Sequence, residues 1–88
     1  MTEHEIRTVI IEAMNYANVV GMRDQNTITL FLEGSEDIAF NQLGMDSLAK
    51  MELCIAIEDK TGVSIVPDEL QKFGTLNQLV SSVQDQSK

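Results

Sequence analysis

A serine at the start of the best helical pattern in the chain is the residue best placed to carry chemistry. It belongs to a run of six residues: Leu43, Gly44, Met45, Asp46, Ser47 and Leu48. Gly44 permits a turn with positive φ, and Asp46 is a good N-cap because its carboxylate accepts hydrogen bonds from the first helical turn. Ser47 would then begin the helix, with an exposed hydroxyl at a position whose dipole favours a phosphate ester. The same four residues, 44–47, also fit an ordinary helix start.

Other kinds of chemistry find little support in the sequence. His4 is the only histidine and Cys54 the only cysteine, so neither a zinc site nor an internal disulfide is predicted. We expect Cys54 to be a small buried hydrophobic residue. No histidine or acid is arranged to activate the Ser47 hydroxyl as a hydrolytic nucleophile. The sequence therefore predicts no catalytic residue and no metal site.

The composition indicates one small acidic domain. Eighty-eight residues, of which 43% are hydrophobic and none is Trp, favour a single aliphatic core. Fourteen acidic and six basic residues give a net charge of −8, which disfavours nucleic acid and anionic membranes and favours partners with basic patches. Because the chain has neither a membrane-spanning apolar stretch nor a basic N-terminal leader, we expect a cytoplasmic protein.

Hydrophobic periodicity predicts an all-α chain with a long loop. An apolar stripe predicts a first helix over residues 3–19, and Thr2 with Glu5 forms its capping box. Residues 21–42 hold no convincing helix, so we expect a loop there, in which residues 27–32 form a short extended piece or plug the core.

Three further helices are predicted in the second half of the chain. They cover residues 47–60, residues 68–73 and a last segment that starts at residue 76. Thr75 and Gln78 form a second capping box before the last helix. The polar residues 84–88 are expected to fray.

The helix over residues 47–60 carries two apolar stripes. One can face the core and comprises Leu53, Cys54, Ala56 and Ile57. The other starts at the serine end and comprises Leu48, Met51 and Ile55. The second stripe has two interpretations: the long loop buries it, or it is a face that binds a partner, flanked by acidic residues such as Glu52, Glu58 and Asp59.

The run 43–48 resembles the Leu-Gly-x-Asp-Ser-Leu signature of acyl carrier proteins and related carrier domains. Element order, size and acidity are similar too, so the resemblance covers nearly all of a single domain, residues 1–88. It implies a four-helix bundle of acyl-carrier type, with three longer helices, one short helix and a long loop between helices one and two. It also implies that Ser47 bears 4'-phosphopantetheine, a flexible arm ending in a thiol, with Asp46 and Leu48 beside it.

The resemblance further implies a monomeric carrier rather than an enzyme. A phosphopantetheinyl transferase would transfer the arm from coenzyme A, and the thiol would hold acyl or ketide groups as thioesters for enzymes of fatty-acid, lipid or polyketide synthesis. Those acyltransferase- or synthase-type partners, with basic docking patches, would bind a surface made of Leu48, Met51, Glu52, Ile55 and Asp59. An acyl chain could be sheltered among Cys54, Ile57, Ile65 and Leu70.

Some residues depart from the pattern of fatty-acid carriers. Ala49 and Lys50 follow Ser47-Leu48 where another acid is usual, and Thr61 stands where an aromatic residue often closes the helix. These departures favour a specialised carrier over the housekeeping one. Two alternatives stay open: an aminoacyl or peptidyl carrier of nonribosomal type, which the charge of −8 mildly disfavours, and an unmodified helical adaptor for which Ser47 is dispensable.

Overall fold

The computed structural model describes residues 2–17, 19 and 24–86, and their regular secondary structure is all helical. The α-helices are α1 (Glu3–Tyr16), α2 (Gln25–Glu33), α3 (Ser47–Thr61), α4 (Pro67–Lys72) and α5 (Leu76–Gln86). A short 3-10 helix, Phe40–Gln42, precedes α3. The predicted all-α class is confirmed, with one more helix than the four expected. None of the helices in the described ranges has the length and apolar character needed to cross a membrane.

Helix α1 begins at the predicted capping box and ends earlier than expected. The Thr2 hydroxyl accepts from the Glu5 N–H at 3.2 Å, and the Glu5 carboxylate accepts from the Thr2 N–H at 2.9 Å. The predicted end at residue 19 is wrong, because the Val19 N–H turns back to the Met14 carbonyl at 3.0 Å. This bond closes a helix C-terminus, and it brings Val19 into the core.

Helix α2 lies in the segment predicted to be a loop, so the prediction of no helix in residues 21–42 is wrong, as is the extended alternative for residues 27–32. The Asp24 carboxylate caps the helix by accepting from the Asn26 N–H at 3.1 Å. Gly34 ends the helix in the left-handed conformation, with φ of 79°. The buried side chain of Phe31 packs α2 against the core.

The last three helices lie close to their predicted positions. Helix α3 ends at Gly62, whose φ of 77° is left-handed, and α4 begins with Pro67 as its first residue. Helix α5 extends to Gln86, so residues 84–86 of the tail expected to fray are helical, and residues 87–88 lie outside the described ranges.

The second capping box is present with its return bond shifted. The Gln78 N–H donates to the Thr75 hydroxyl at 3.5 Å, whereas the Gln78 side chain accepts from the Gly74 N–H at 2.7 Å. Next to this turn, Ala39 and Thr75 form an isolated antiparallel bridge. The bridge joins the segment before α3 to the start of α5.

The core is aliphatic and has α1 at its centre, packed against α2, α3 and α5. Among the residues that the structure describes, one that is charged is buried in this core. The Arg7 guanidinium donates to the Phe31 carbonyl and to the Asn77 side chain, both at 2.9 Å, and pairs with Glu3 at 3.0 Å. It also lies over the Phe31 ring, 4.8 Å from the ring centroid. These four residues, here named the Arg7 junction, connect α1, α2 and α5.

Candidate functional site

The N-terminus of α3 is built by a glycine turn and an aspartate cap, as predicted. Gly44 has φ of 65°, and nothing lies within 4 Å of the place where a Cβ would stand. Asp46 accepts from the Ala49 N–H through its carboxylate at 2.8 Å and from the Lys50 N–H through its carbonyl at 3.1 Å. These two bonds satisfy the third and fourth donors of the first turn.

The first two donors of α3 are free among the described residues. Neither the Ser47 N–H nor the Leu48 N–H forms a hydrogen bond with a described residue. Ser47 itself is exposed, and its hydroxyl forms no hydrogen bond with the described part of the chain. A phosphate ester on this oxygen would lie at the positive end of the helix dipole, near two unpaired N–H groups. The residues present therefore fit a phosphate-bearing group.

A contiguous apolar surface extends from this end along α3. Leu48, Met51 and Ile55 are 58%, 47% and 55% exposed, and we call these three residues the outer face of α3. The interpretation in which the long loop buries this stripe is therefore wrong. Of the predicted acidic neighbours, Glu52 is half-buried and Asp59 is exposed. Val66, 50% exposed before α4, is a further apolar surface residue that the sequence analysis missed.

Two open grooves flank the Ser47 end of α3. One has a volume of about 500 Å³ and is lined by Phe40, Asn41, Met45, Lys50, Gln71 and Phe73, among others. The other has a volume of about 410 Å³, and its lining includes Val19, Asp46, Leu48 and Glu52. We name them the Lys50 groove and the Glu52 groove. Sequence analysis could not find them, because each is assembled from segments distant in the chain.

Comparison with known families indicates which phosphate-bearing group the site fits. Residues 29–83 match the family model described as a phosphopantetheine attachment site. This match spans more than half of the chain and includes the whole N-terminal turn of α3. The chain belongs to the acyl carrier protein family.

Curated relatives agree with this assignment. The carrier is 34% identical over 86 residues to an acyl carrier protein of Exiguobacterium sibiricum, an alignment that covers 98% of this chain and 99% of the relative. It is 31% identical over 67 residues to an acyl carrier protein homolog of Ureaplasma parvum, covering 76% of this chain and 86% of that protein. No solved structure matches significantly.

Membership in the family settles the general role. Acyl carrier proteins are carriers rather than catalysts, and they bear covalently attached 4'-phosphopantetheine. Phosphopantetheinyl transferases and synthase- or acyltransferase-type enzymes are the partners of the family. The resemblance first seen in residues 43–48 is thus confirmed at the level of the family.

The inner face of α3 is part of the core of the carrier. Leu53, Cys54, Ala56 and Ile57 are buried, as predicted. Ile65 and Leu70 are buried as well, so the four residues expected to shelter an acyl chain all lie in the core cluster. Burial raises the pKa of the Cys54 thiol, and the nearby Glu69 carboxylate adds to this shift. Cys54 therefore stays protonated near neutral pH and is not a reactive thiol.

Proposed function

We propose that the carrier bears its 4'-phosphopantetheine on Ser47 and transports acyl or ketide groups for enzymes of fatty-acid, lipid or polyketide synthesis, as a cytoplasmic monomer. The observation that carries the proposal is the exposed, unpaired Ser47 hydroxyl at the first position of α3, directly after the capping Asp46. This position lies inside the segment that matches the attachment-site family. The names of both relatives favour acyl over aminoacyl cargo.

Loading joins Ser47 to the arm in one substitution at phosphorus. The Ser47 oxygen forms a bond to the phosphorus that carries pantetheine in coenzyme A, the bond from this phosphorus to 3',5'-ADP breaks, and the hydroxyl proton passes to a base of the transferase. No described residue of the carrier bonds to the hydroxyl, and we therefore assign the base to the transferase. The free N–H groups of Ser47 and Leu48 stabilise the resulting phosphodiester anion.

The arm supplies a thiol whose thioester is activated for acyl transfer, and the tether raises its effective concentration at each partner's active site. The carrier itself contributes position. Asp46 fixes the first turn of α3 through its bond to the Ala49 N–H. Ser47 thus presents the attachment point on a rigid helix end rather than on a flexible loop.

We assign partner binding to the outer face of α3, with Glu52 and Asp59 at its rim. Three large apolar side chains exposed in one stripe form a patch that a partner can cover. The net charge of −8 steers the carrier toward basic partner surfaces and makes association sensitive to salt. Ala49 and Lys50, in place of the usual acid, support a specialised set of partners.

Intact-mass spectrometry tests the assignment of Ser47. The wild type, Ser47→Ala and the control Ser64→Ala, at another exposed serine, are each incubated with coenzyme A and a broad-specificity phosphopantetheinyl transferase. The wild type and Ser64→Ala gain the mass of one phosphopantetheine, whereas Ser47→Ala gains none and keeps its helical circular dichroism. Loading of Ser47→Ala would contradict the assignment. A folded wild type that several transferases fail to load would make the adaptor the leading hypothesis.

A further inference from the structure

We propose that Tyr16, the last residue of α1, is a contact for the phosphopantetheinyl transferase, and that an arginine side chain of the enzyme stacks on its ring. The contact rests on the proposed function, in which the transferase loads Ser47. It extends the binding surface of the carrier from α3 onto a second helix, and it specifies the chemical group that the partner presents there.

Tyr16 is an aromatic side chain that the bundle leaves in solvent. It is 69% exposed, the highest fraction among the exposed large hydrophobic residues that the structure describes. Because so little of the ring is packed, folding gains little from an aromatic residue at this position. Tyrosine is, however, one of the residue types that carry most of the binding energy at protein interfaces. The exposed ring is therefore available to a partner.

Helix α1 runs antiparallel to α3 and brings Tyr16 close to the outer face. Near one end of this helix pair, the Glu12 carboxylate binds the Lys60 ammonium at 2.9 Å. Near the other end, Ala17 lines the Glu52 groove together with Leu48 of the outer face. Tyr16 follows Glu12 by one helical turn and directly precedes Ala17, so it lies between the ion pair and the groove. The end of α1 and the outer face of α3 thus form one continuous surface.

An enzyme that acts on Ser47 covers more of the carrier than α3 alone provides. A protein interface of standard size buries about 800 Å² on each partner, or roughly 20–30 residues. The outer face supplies three large apolar side chains, so an enzyme bound over Ser47 also covers residues on a neighbouring helix. The last turn of α1 borders the outer face and adds an exposed aromatic ring to it.

The charges near Tyr16 favour a cationic group on the partner. Residues four apart share one side of a helix, so Glu52 and Lys60 both lie on the side of α3 that faces α1. The Lys60 charge is paired with Glu12, whereas Glu52 forms no ion pair with a described residue. A guanidinium can bind a carboxylate and also stack flat on an aromatic ring, which the compact ammonium of lysine does less well. Arginine is therefore the side chain that fits this surface.

Loading kinetics test the contact. The wild type, Tyr16→Ala, Tyr16→Phe, Tyr16→Leu and the control Asn15→Ala, at the exposed neighbouring residue, are titrated into a broad-specificity phosphopantetheinyl transferase with saturating coenzyme A. We expect Tyr16→Ala to raise the KM for the carrier roughly 5-fold with kcat unchanged, because binding is lost and chemistry is not. Tyr16→Leu, which lacks an aromatic face, should load as poorly. Tyr16→Phe and Asn15→Ala should load like the wild type, and all variants should keep the helical circular dichroism.

Ile55→Ala, on the outer face, separates failure of this contact from failure of the proposed function. A raised KM for Ile55→Ala beside a normal KM for Tyr16→Ala overturns the role of Tyr16 and leaves the outer face intact. A normal KM for Tyr16→Leu beside a raised KM for Tyr16→Ala overturns the arginine, since an apolar group then covers the ring. A folded wild type that gains no mass, under conditions that load another carrier protein, overturns the loading of Ser47 itself.

Discussion

The Arg7 junction buries its polar groups and pairs them in hydrogen bonds, whereas the Ser47 end of α3 leaves polar donors without described partners and apolar side chains exposed. At the junction Arg7 is only 5% exposed, and its guanidinium is bonded to three residues, one on each of three helices. Indeed, every buried side-chain polar atom in the described residues has a hydrogen-bond partner. At the Ser47 end two N–H donors lack described acceptors, and the adjoining apolar side chains face solvent.

The difference separates a region that stabilises the fold from a region that is available for binding. A buried polar group without a partner costs about 1–3 kcal/mol, so a complete set of hydrogen bonds at the junction stabilises the bundle. Free donors and exposed apolar side chains add little to folding, but they remain available to a phosphate and to a partner surface. Substitutions in the two regions should therefore separate stability from function.

Of the three test substitutions, leaving their controls aside, replacing the buried cation should have the largest effect on stability. Arg7→Met keeps much of the side-chain volume but removes the donor to the Asn77 side chain and one of the two donors to the Phe31 carbonyl, which keeps the Gly34 N–H. It also removes the ion pair with Glu3, so we expect a loss of about 2–3 kcal/mol in the free energy of unfolding. Loading at Ser47 should be unchanged below the melting temperature. The control is Lys60→Met, which removes an exposed ion pair with Glu12 and should cost under about 1 kcal/mol. Urea unfolding measures both, and equal losses would refute the contrast.

Removing the cap of α3 should have an intermediate effect on stability and a clear effect on loading. Asp46→Ala loses the bond to the Ala49 N–H and should cost about 1 kcal/mol. Because the first turn that carries Ser47 is then less well fixed, loading by the transferase should slow. Asp24→Ala removes the equivalent cap of α2 and should cost a similar amount without slowing the loading. Equal loading rates for the two variants, measured by mass spectrometry over time, would argue against a role for Asp46 at the site.

Trimming the outer face of α3 should have the smallest effect on stability. Ile55→Ala should change the free energy of unfolding by less than about 0.5 kcal/mol but weaken the transfer of acyl groups by a partner enzyme. Its matched control, Ile57→Ala, alters a fully buried residue two positions away and should cost about 2–5 kcal/mol. Thermal unfolding and acyl-transfer kinetics provide the two readouts. Normal transfer by the Ile55→Ala protein would count against the outer face as the docking surface.

The sequence predicted the elements whose signals are local. The capping box of Thr2 and Glu5, the cap at Asp46 and the stop at Gly62 all lie within one turn of the helix end they define, so the start of α1 and both ends of α3 are right to within a residue. The two apolar stripes of α3 were also separated correctly, because helical spacing alone determines which side chains share a face.

Helix α2 was missed because local propensity and tertiary packing disagree there. Thr27, Ile28 and Thr29 are β-branched residues, which lower helix propensity. What stabilises the helix is Phe31, buried beneath Arg7. That contact joins residues far apart in the chain and leaves no periodic signal. Asp24 and Gly34 are residue types that favour the two ends of a helix, but such caps are a weak indication when the segment between them has no recognised helical pattern.

The bridge between Ala39 and Thr75 also determines the order in which parts of the site can form during synthesis. Residues 38–40 leave the ribosome well before residues 74–76, with which they pair. The hydrogen bond from Phe40 to Gly74 therefore cannot form while α3 and α4 are being made. The cap of the serine-bearing helix end involves only nearby residues, whereas the Lys50 groove beside it is completed only after α5 has begun to emerge. Contacts between distant parts of a chain form late, so in a newborn molecule the attachment point exists before the groove that flanks it.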